Sequence, residues 1–542
     1  MLPFPQLFRR VLLPALLLLG AGWGLGCYFE TNDDPAIILL LRGTAADAPV
    51  TNLHLYFHGV SAVLAGLYQL FPGLPWFGLV LYALLYVATV LVFSVLDQLL
   101  TGRVPPTQIT GLLVLFFLVA WLEHGLWFNY VRVPVLLTAA GILFAAQRPQ
   151  RLGAFLLAVA AFGLSWLIRP SPALMGLLLA APGAYWLSGR RALPILFTAA
   201  LWAGVGAGVL AMASSPQAKA LAALDVPKAH LNDYQLLRPT PHTAPDSLAL
   251  QAVAHWMMAD STLVNEAMFR RATQYEWSWF LGTIVPLKVQ VMLRLLVRDY
   301  FPLLLLQALL LVWVATTRSL PQRRWFWLTQ AGYVGLLLVL GIALKLPPRV
   351  GLPLFDFWAL SNLLYVLRDT QPIPPARPLA LVLLALAVAA GPYAYKTWHR
   401  RTVLLAERHH NQQLRAQLTA TLPTNILLVT DVLPATYKAA SPFRNPEPHP
   451  AKMMMLSGWT TANPSQAAWR RQLTGTRNFA ESMRRLARLS SRVRWLLTPG
   501  GARVLNKQLR IKDSPVTQLA PEPKAFTAVI DTLRYYQPVR KQ

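Results

Sequence analysis

The feature that most constrains this chain is a succession of apolar runs of about 20 residues, each long enough to cross a bilayer as a helix. Runs near 11–28, 76–97, 109–126, 132–147, 152–168, 171–188, 193–212, 300–317, 326–345, 351–367 and 378–396 meet that length. With 55% hydrophobic and only 13% charged residues, the composition excludes a single soluble globule, which carries about 25% charged residues. It equally excludes a disordered chain. The expectation is an all-α polytopic membrane protein of about eleven transmembrane helices. The net charge of +27 is read first as topology, because Lys and Arg gather at the cytoplasmic ends of spans. No nucleic-acid partner is inferred from it. Cys27 is the single cysteine, so neither an internal disulfide framework nor a Cys-based zinc site is available.

The segment 54–72 is richer in polar and aromatic residues and ends at Phe71-Pro72-Gly73-Leu74-Pro75. We read it as an amphipathic helix on the membrane surface. Arg9 and Arg10 then put the N-terminus inside the cell. The connections on that side carry Arg103, Arg148, Arg151, Arg190, Arg191, Arg318, Arg323, Arg324, Arg368 and Arg377. If 54–72 crossed, many of these would move outside, against the positive-inside rule. The first hydrophobic run is expected to remain as an uncleaved helix, since no clean cleavage site follows it.

This topology makes 1–396 a transmembrane domain with two external features, the first loop (29–75) and an insert (213–299). A smaller, basic soluble domain over 397–542 follows. In it Asn425–Thr430 reads as a buried strand and 478–497 as a basic helix, an α/β pattern.

Acidic residues are scarce, 22 in all, which makes their positions informative. Asp33 and Asp34 follow the first span directly, in Glu30-Thr31-Asn32-Asp33-Asp34-Pro35. A carboxylate at the membrane edge is costly to keep and is a functional candidate by default. One such side chain would suffice to cap the next helix, so the pair points to more. The cations that break the positive-inside trend are Arg169, Lys345 and Arg349, with Arg132 a weaker fourth. Placed at external helix ends, they suit an anionic phosphate, Arg through its forked geometry.

A first helix ending in an external Asp-Asp pair, a long first external loop and many short-looped spans together resemble the GT-C superfamily of integral-membrane glycosyltransferases. The resemblance covers about 1–396. It implies a donor sugar carried on a polyprenyl phosphate or pyrophosphate and an acidic residue of the first external loop as general base. It further implies a second acidic residue near the third or fourth span, for which Glu123 stands ready with His124 beside it. That residue would position the acceptor or help to hold a divalent metal such as Mg or Mn. Transfer itself needs a carboxylate to take the acceptor proton and positive charge on the departing phosphate.

The expected catalytic set is therefore Asp33, Asp34 and Glu123, and the substrate-binding set Arg169, Lys345, Arg349 and His124. His54 and His58, spaced i and i+4, are weaker metal candidates. Asp356 is expected to pair with Arg349. Trp256 to Asp260 and Trp277 to Trp279 put aromatics beside acids, which suits sugar stacking, though we read them as interfacial anchors. The expected partners are a polyprenyl-phosphate-linked sugar, a glycan, lipid or protein acceptor and membrane lipids. The expected setting is a bacterial cytoplasmic membrane with the site facing outward. Two other classes remain open: a transporter or flippase of lipid-linked glycans, and a polysaccharide polymerase or ligase. No internal repeat supports a transporter, and no phosphate-loop, dinucleotide or nucleophile-elbow motif occurs.

Overall fold

The computed structural model describes residues 3–317, 320–368, 376–420, 426–432, 436–445, 452–489, 492–510, 517–521 and 534–540. Arg318 lies outside them. Among the described residues seven helical stretches are long and apolar enough to cross a membrane: Phe4–Gly24, Trp76–Leu100, Pro106–Leu126, Pro170–Ala213, Trp277–Arg298, Arg323–Ala343 and Pro348–Leu367. Shorter apolar helices include Arg132–Ala146, Leu152–Ile168 and Phe301–Thr316. Pro170–Ala213 is two helices joined by a tight turn at Gly189–Ala192. Nearly every expected span therefore has a helix on it, with ends moved by a few residues. Near its N-terminus the first helix is latched to Trp76–Leu100, Arg9 and Arg10 each donating to Asp97 at 2.5 Å.

The expected surface helix in the first loop is Val60–Leu70, 11 residues long, too short to span. The structure adds Trp277–Arg298, which the sequence reading left inside the external insert. One of its faces leaves Leu287, Val291 and Val297 exposed. On its other side Lys288 donates to the carbonyls of Tyr234, Ile342 and Leu344, tying the helix to the insert and to the approach of Pro348–Leu367.

Short strands stitch together segments outside the long apolar helices. β1 (Tyr28–Phe29) pairs in parallel with β2 (Trp127–Phe128). β3 (Leu237–Pro239) pairs antiparallel with β4 (Thr273–Tyr275) in the insert. The C-terminal sheet has the order β6-β5-β7-β9-β8, from β5 (Leu427–Thr430), β6 (Lys452–Met455), β7 (Val493–Leu497), β8 (Thr517–Pro521) and β9 (Arg534–Arg540). β5, β6 and β7 are parallel, with β5 in the middle. The stretch 478–497 is not one helix. Helix Phe479–Arg488 ends at Leu489, and Val493–Leu497 is a strand, because its apolar run suits a sheet buried on both faces.

Alternation along those strands decides how the soluble part is held. Leu428, Met453, Met455 and Leu496 belong to the core that contains the membrane bundle and first loop. Their neighbours Val429, Met454, Trp495 and Leu497 belong to a second core, shared with Leu248, Met257, Met268 and Phe269 of the insert. Residues i and i+1 of a strand face opposite ways, so the sheet is sandwiched between the first loop and the insert. Polar contacts follow the same seam. Gln466 donates to the Ala45 carbonyl at 2.8 Å, the Met453 N–H to Thr44 at 3.0 Å and the Gly458 N–H to Trp256 at 3.0 Å. Gly78 is obligatory for this docking: a Cβ there would sit 1.9 Å from the Pro442 carbonyl oxygen.

The expected boundary at 396 is therefore not a linker. Ala376–Ala420 is one helix running through it, and Lys396, Arg400 and Arg408 on that helix all grip the membrane part. Truncation after residue 396 is expected to strip the insert of half its core. Size-exclusion chromatography in detergent should show aggregation where the full chain is monodisperse. A monodisperse 1–396 fragment would contradict the shared core.

Candidate active site

A cavity of about 620 Å³ opens where the membrane part, the insert and the C-terminal sheet meet. Asp33, Arg169, Lys345 and Arg349 all line it. Four of the side chains singled out from sequence, spread over more than three hundred residues, thus share one space.

Asp33 opens the helix Asp33–Leu41, where a carboxylate is favoured by the helix dipole. It is half-buried and, among the described residues, its side chain is bonded only to Thr31 at 3.3 Å, which leaves its oxygens available to the cavity. Asp34, one residue on, has the opposite fate. It is wholly buried, accepts from Asn129 Nδ2 at 2.8 Å and from the Tyr130 N–H at 2.9 Å, and does not line the cavity. Asp34 is a clip between the first loop and the 127–131 turn.

Arg169 sits in the break between Leu152–Ile168 and the following helix. The Phe57 and His58 N–H groups satisfy the Ile168 and Leu167 carbonyls, docking the 51–58 loop there. This lays the Tyr56 ring 4.3 Å from the guanidinium, while Tyr130 OH accepts from it at 2.6 Å. Its Nε is buried with no hydrogen-bond partner, and among the described residues no carboxylate forms an ion pair with it. Arg349 is oriented differently: Glu30 accepts from it at 3.2 Å and from Arg132 at 2.8 Å. Lys345 pairs with Asp233 of the insert at 3.1 Å.

Burial decides the remaining candidates. Glu123 is not at the cavity. Lys396 (2.7 Å), Arg400 (2.5 Å) and Tyr393 (3.1 Å) saturate it, so it anchors the long C-terminal helix and is not free to act on substrate. His124 is wholly buried and bonded to Asp356 at 2.7 Å, with Arg132 at 3.4 Å. The expected Arg349–Asp356 pair is thus replaced by Arg349–Glu30 and His124–Asp356. Arg132 is likewise buried, off the cavity. His54 and His58 lie in the irregular turn before Val60, not on one helix face, since the helix begins only at Val60. Burial lowers both their pKa values. Among the described residues no three His, Cys, Asp or Glu side chains gather to hold a metal.

The cavity also uses residues the sequence reading did not select: Tyr56, Tyr130, Lys228, Trp459 and Asp431, together with Trp256, which had been set aside as an anchor. No protein-family model matches the sequence, and no curated protein sequence matches it. Among solved structures, the chain is similar to the crystal structure of ArnT from Cupriavidus metallidurans bound to undecaprenyl phosphate. The identity is 12%, with 97% of each chain covered and a TM-score of 0.45.

Two substitutions separate anchors from site. Glu123→Ala leaves Lys396 and Arg400 with half their carboxylates and is expected to cost about 3–5 kcal/mol, read as a lower unfolding temperature in detergent. Asp34→Asn replaces an acceptor with a donor facing Asn129, at about 1–3 kcal/mol. Burial holds the Asp34 carboxyl well above the usual carboxylate range. Its contribution is therefore complete below the unfolded-chain pKa and is lost as pH rises through the raised value. Thermal unfolding across pH should show the wild type losing more stability towards alkaline pH than Asp34→Asn. Identical slopes would contradict this role.

Proposed function

We propose that this protein is a membrane glycosyltransferase of GT-C type, moving a sugar from a polyprenyl-phosphate donor onto a hydroxyl of an acceptor at the external face of a bacterial cytoplasmic membrane. The observation that carries the reading is the cavity in which one unsaturated carboxylate, Asp33, faces Arg169, Arg349 and Lys345. A buried guanidinium with an unpartnered Nε is costly to maintain without an anion, and phosphate oxygens are the partners its geometry fits.

In this reading the phosphate of the donor rests against Arg169 and Arg349, with Lys345 at the rim. The acceptor hydroxyl approaches the anomeric carbon. As the new C–O bond forms, Asp33 takes the hydroxyl proton. The bond from the anomeric carbon to the phosphate oxygen breaks, its electron pair stays on phosphate, and the cations stabilise the growing charge. Polyprenyl phosphate leaves into the lipid.

Asp33→Asn should lower kcat about 10²–10⁴-fold while leaving donor binding in place, and Arg169→Ala should weaken donor binding. Both are read as radiolabelled sugar transferred from a polyprenyl-phosphate donor by purified protein in detergent. A transporter would form no product under these conditions. Full activity in Asp33→Asn would remove the base assignment.

A further inference from the structure

The cavity has two unlike walls. The membrane part and the adjoining insert supply its cations, Arg169, Arg349, Lys345 and Lys228. A second wall comes from the C-terminal sheet. β5, β6 and β7 run parallel, and the residues just beyond their carboxyl ends reach the cavity: Asp431 after β5, Ser457 and Trp459 after β6, and Thr498 after β7. The carboxyl ends of parallel strands, beside a central strand that others flank, are where open α/β sheets hold ligands.

The chemistry of this wall is specific. The C-terminal segment is strongly basic in sequence, yet none of the described residues it gives to the cavity is a cation, and one is a carboxylate. Asp431 is fixed by Thr498, whose N–H (2.8 Å) and hydroxyl (2.5 Å) donate to its two oxygens. Each oxygen keeps acceptor capacity to spare. Glycine is needed for this close approach: a Cβ on Gly501 would sit 1.9 Å from Asp431 Oδ2, and one on Gly500 2.7 Å from the ring of His255, which also lines the cavity. Beside this acceptor set stand two indoles. Trp459 meets Tyr56 edge to face at 5.2 Å. Trp256 is held with a left-handed backbone (φ 57), its carbonyl bonded to the Gly458 N–H. Lys228 stands 5.6 Å from the Trp256 ring, but the residues from the sheet itself bring a fixed carboxylate, hydroxyls and an aromatic face, which suit a ring bearing hydroxyl groups.

We propose that Asp431, Thr498, Ser457, Trp459 and Trp256 form the acceptor subsite, binding a neutral pyranose ring so that its hydroxyl is presented across the cavity to Asp33. The C-terminal sheet is then the part that chooses the acceptor, while the membrane part holds the donor. This inference rests on the glycosyltransferase reading, and the test keeps the two apart.

The test uses the full chain in nanodiscs with two probes. Undecaprenyl phosphate alone, titrated by Trp fluorescence, reads the cationic wall. A panel of neutral methyl pyranosides, read by saturation-transfer NMR, reads the soluble wall. At least one glycoside should bind the wild type and Asp33→Asn, and should lose affinity at least tenfold in both Trp459→Ala and Asp431→Asn. Undecaprenyl phosphate should still bind Trp459→Ala within twofold, which shows that the variant is folded, and should lose at least tenfold in Arg169→Ala. The proposal is overturned if no pyranoside binds the wild type, or if binding survives both Trp459→Ala and Asp431→Asn. Pyranoside binding without undecaprenyl-phosphate binding would sink the donor reading instead, and with it the assignment of this wall to an acceptor.

Discussion

Glu30 is buried and takes hydrogen bonds from both Arg132 and the cavity-lining Arg349. Removing two guanidiniums and a carboxylate from water is expensive, and their mutual attraction offsets that cost only when the geometry is held. The holding comes from β1–β2 pairing next to it, where the Glu30 N–H donates to the Phe128 carbonyl at 2.7 Å. Asp34 clips the same loop four residues later. The loop that follows the first helix is therefore pinned from two points, and Asp33 between them is left the freest of the three acids.

The same distinction organises the other charges. Glu123, Asp299, Lys396 and Arg400 satisfy one another and weld the long C-terminal helix to the bundle. His124 and Asp356 pair at 2.7 Å within the bundle, with Asp356 Oδ1 left without a hydrogen-bond partner among the described residues. Arg169, at the cavity, is held by aromatic rings and a tyrosine hydroxyl, and among the described residues no carboxylate pairs with it. Paired charges build the scaffold, while Asp33 and Arg169, which form no ion pair among the described residues, face the cavity.

Much of the architecture was legible because lipid leaves a chain few choices: helices must satisfy their own backbones, and apolar length sets their ends. The grouping of Asp33 with Arg169, Lys345 and Arg349 was legible because charges that defy the membrane rules are few. What sequence could not tell was which charges are already paired. Glu123 and Arg349 look equally available in a string of letters, yet one is saturated by a helix about 270 residues away. The sheet's contribution was hidden for another reason. Asp431, Ser457 and Thr498 lie just past strand ends with no motif around them, and only the parallel order of β6-β5-β7 brings them together. The strand Val493–Leu497 was misread because Arg494 and the arginines before it suggested a continuous basic helix. Trp256 carried a signal, an aromatic near an acid, that was outweighed by the frequency of interfacial tryptophans.

The most direct measurement is a cryo-electron-microscopy structure of the full chain in nanodiscs with undecaprenyl phosphate. The account requires the phosphate to lie within hydrogen-bond reach of Arg169 and Arg349, in the space that Asp33 faces. Phosphate density at the opposite end of the bundle, against Arg148 or Arg190, with the Arg169 pocket empty, would contradict it.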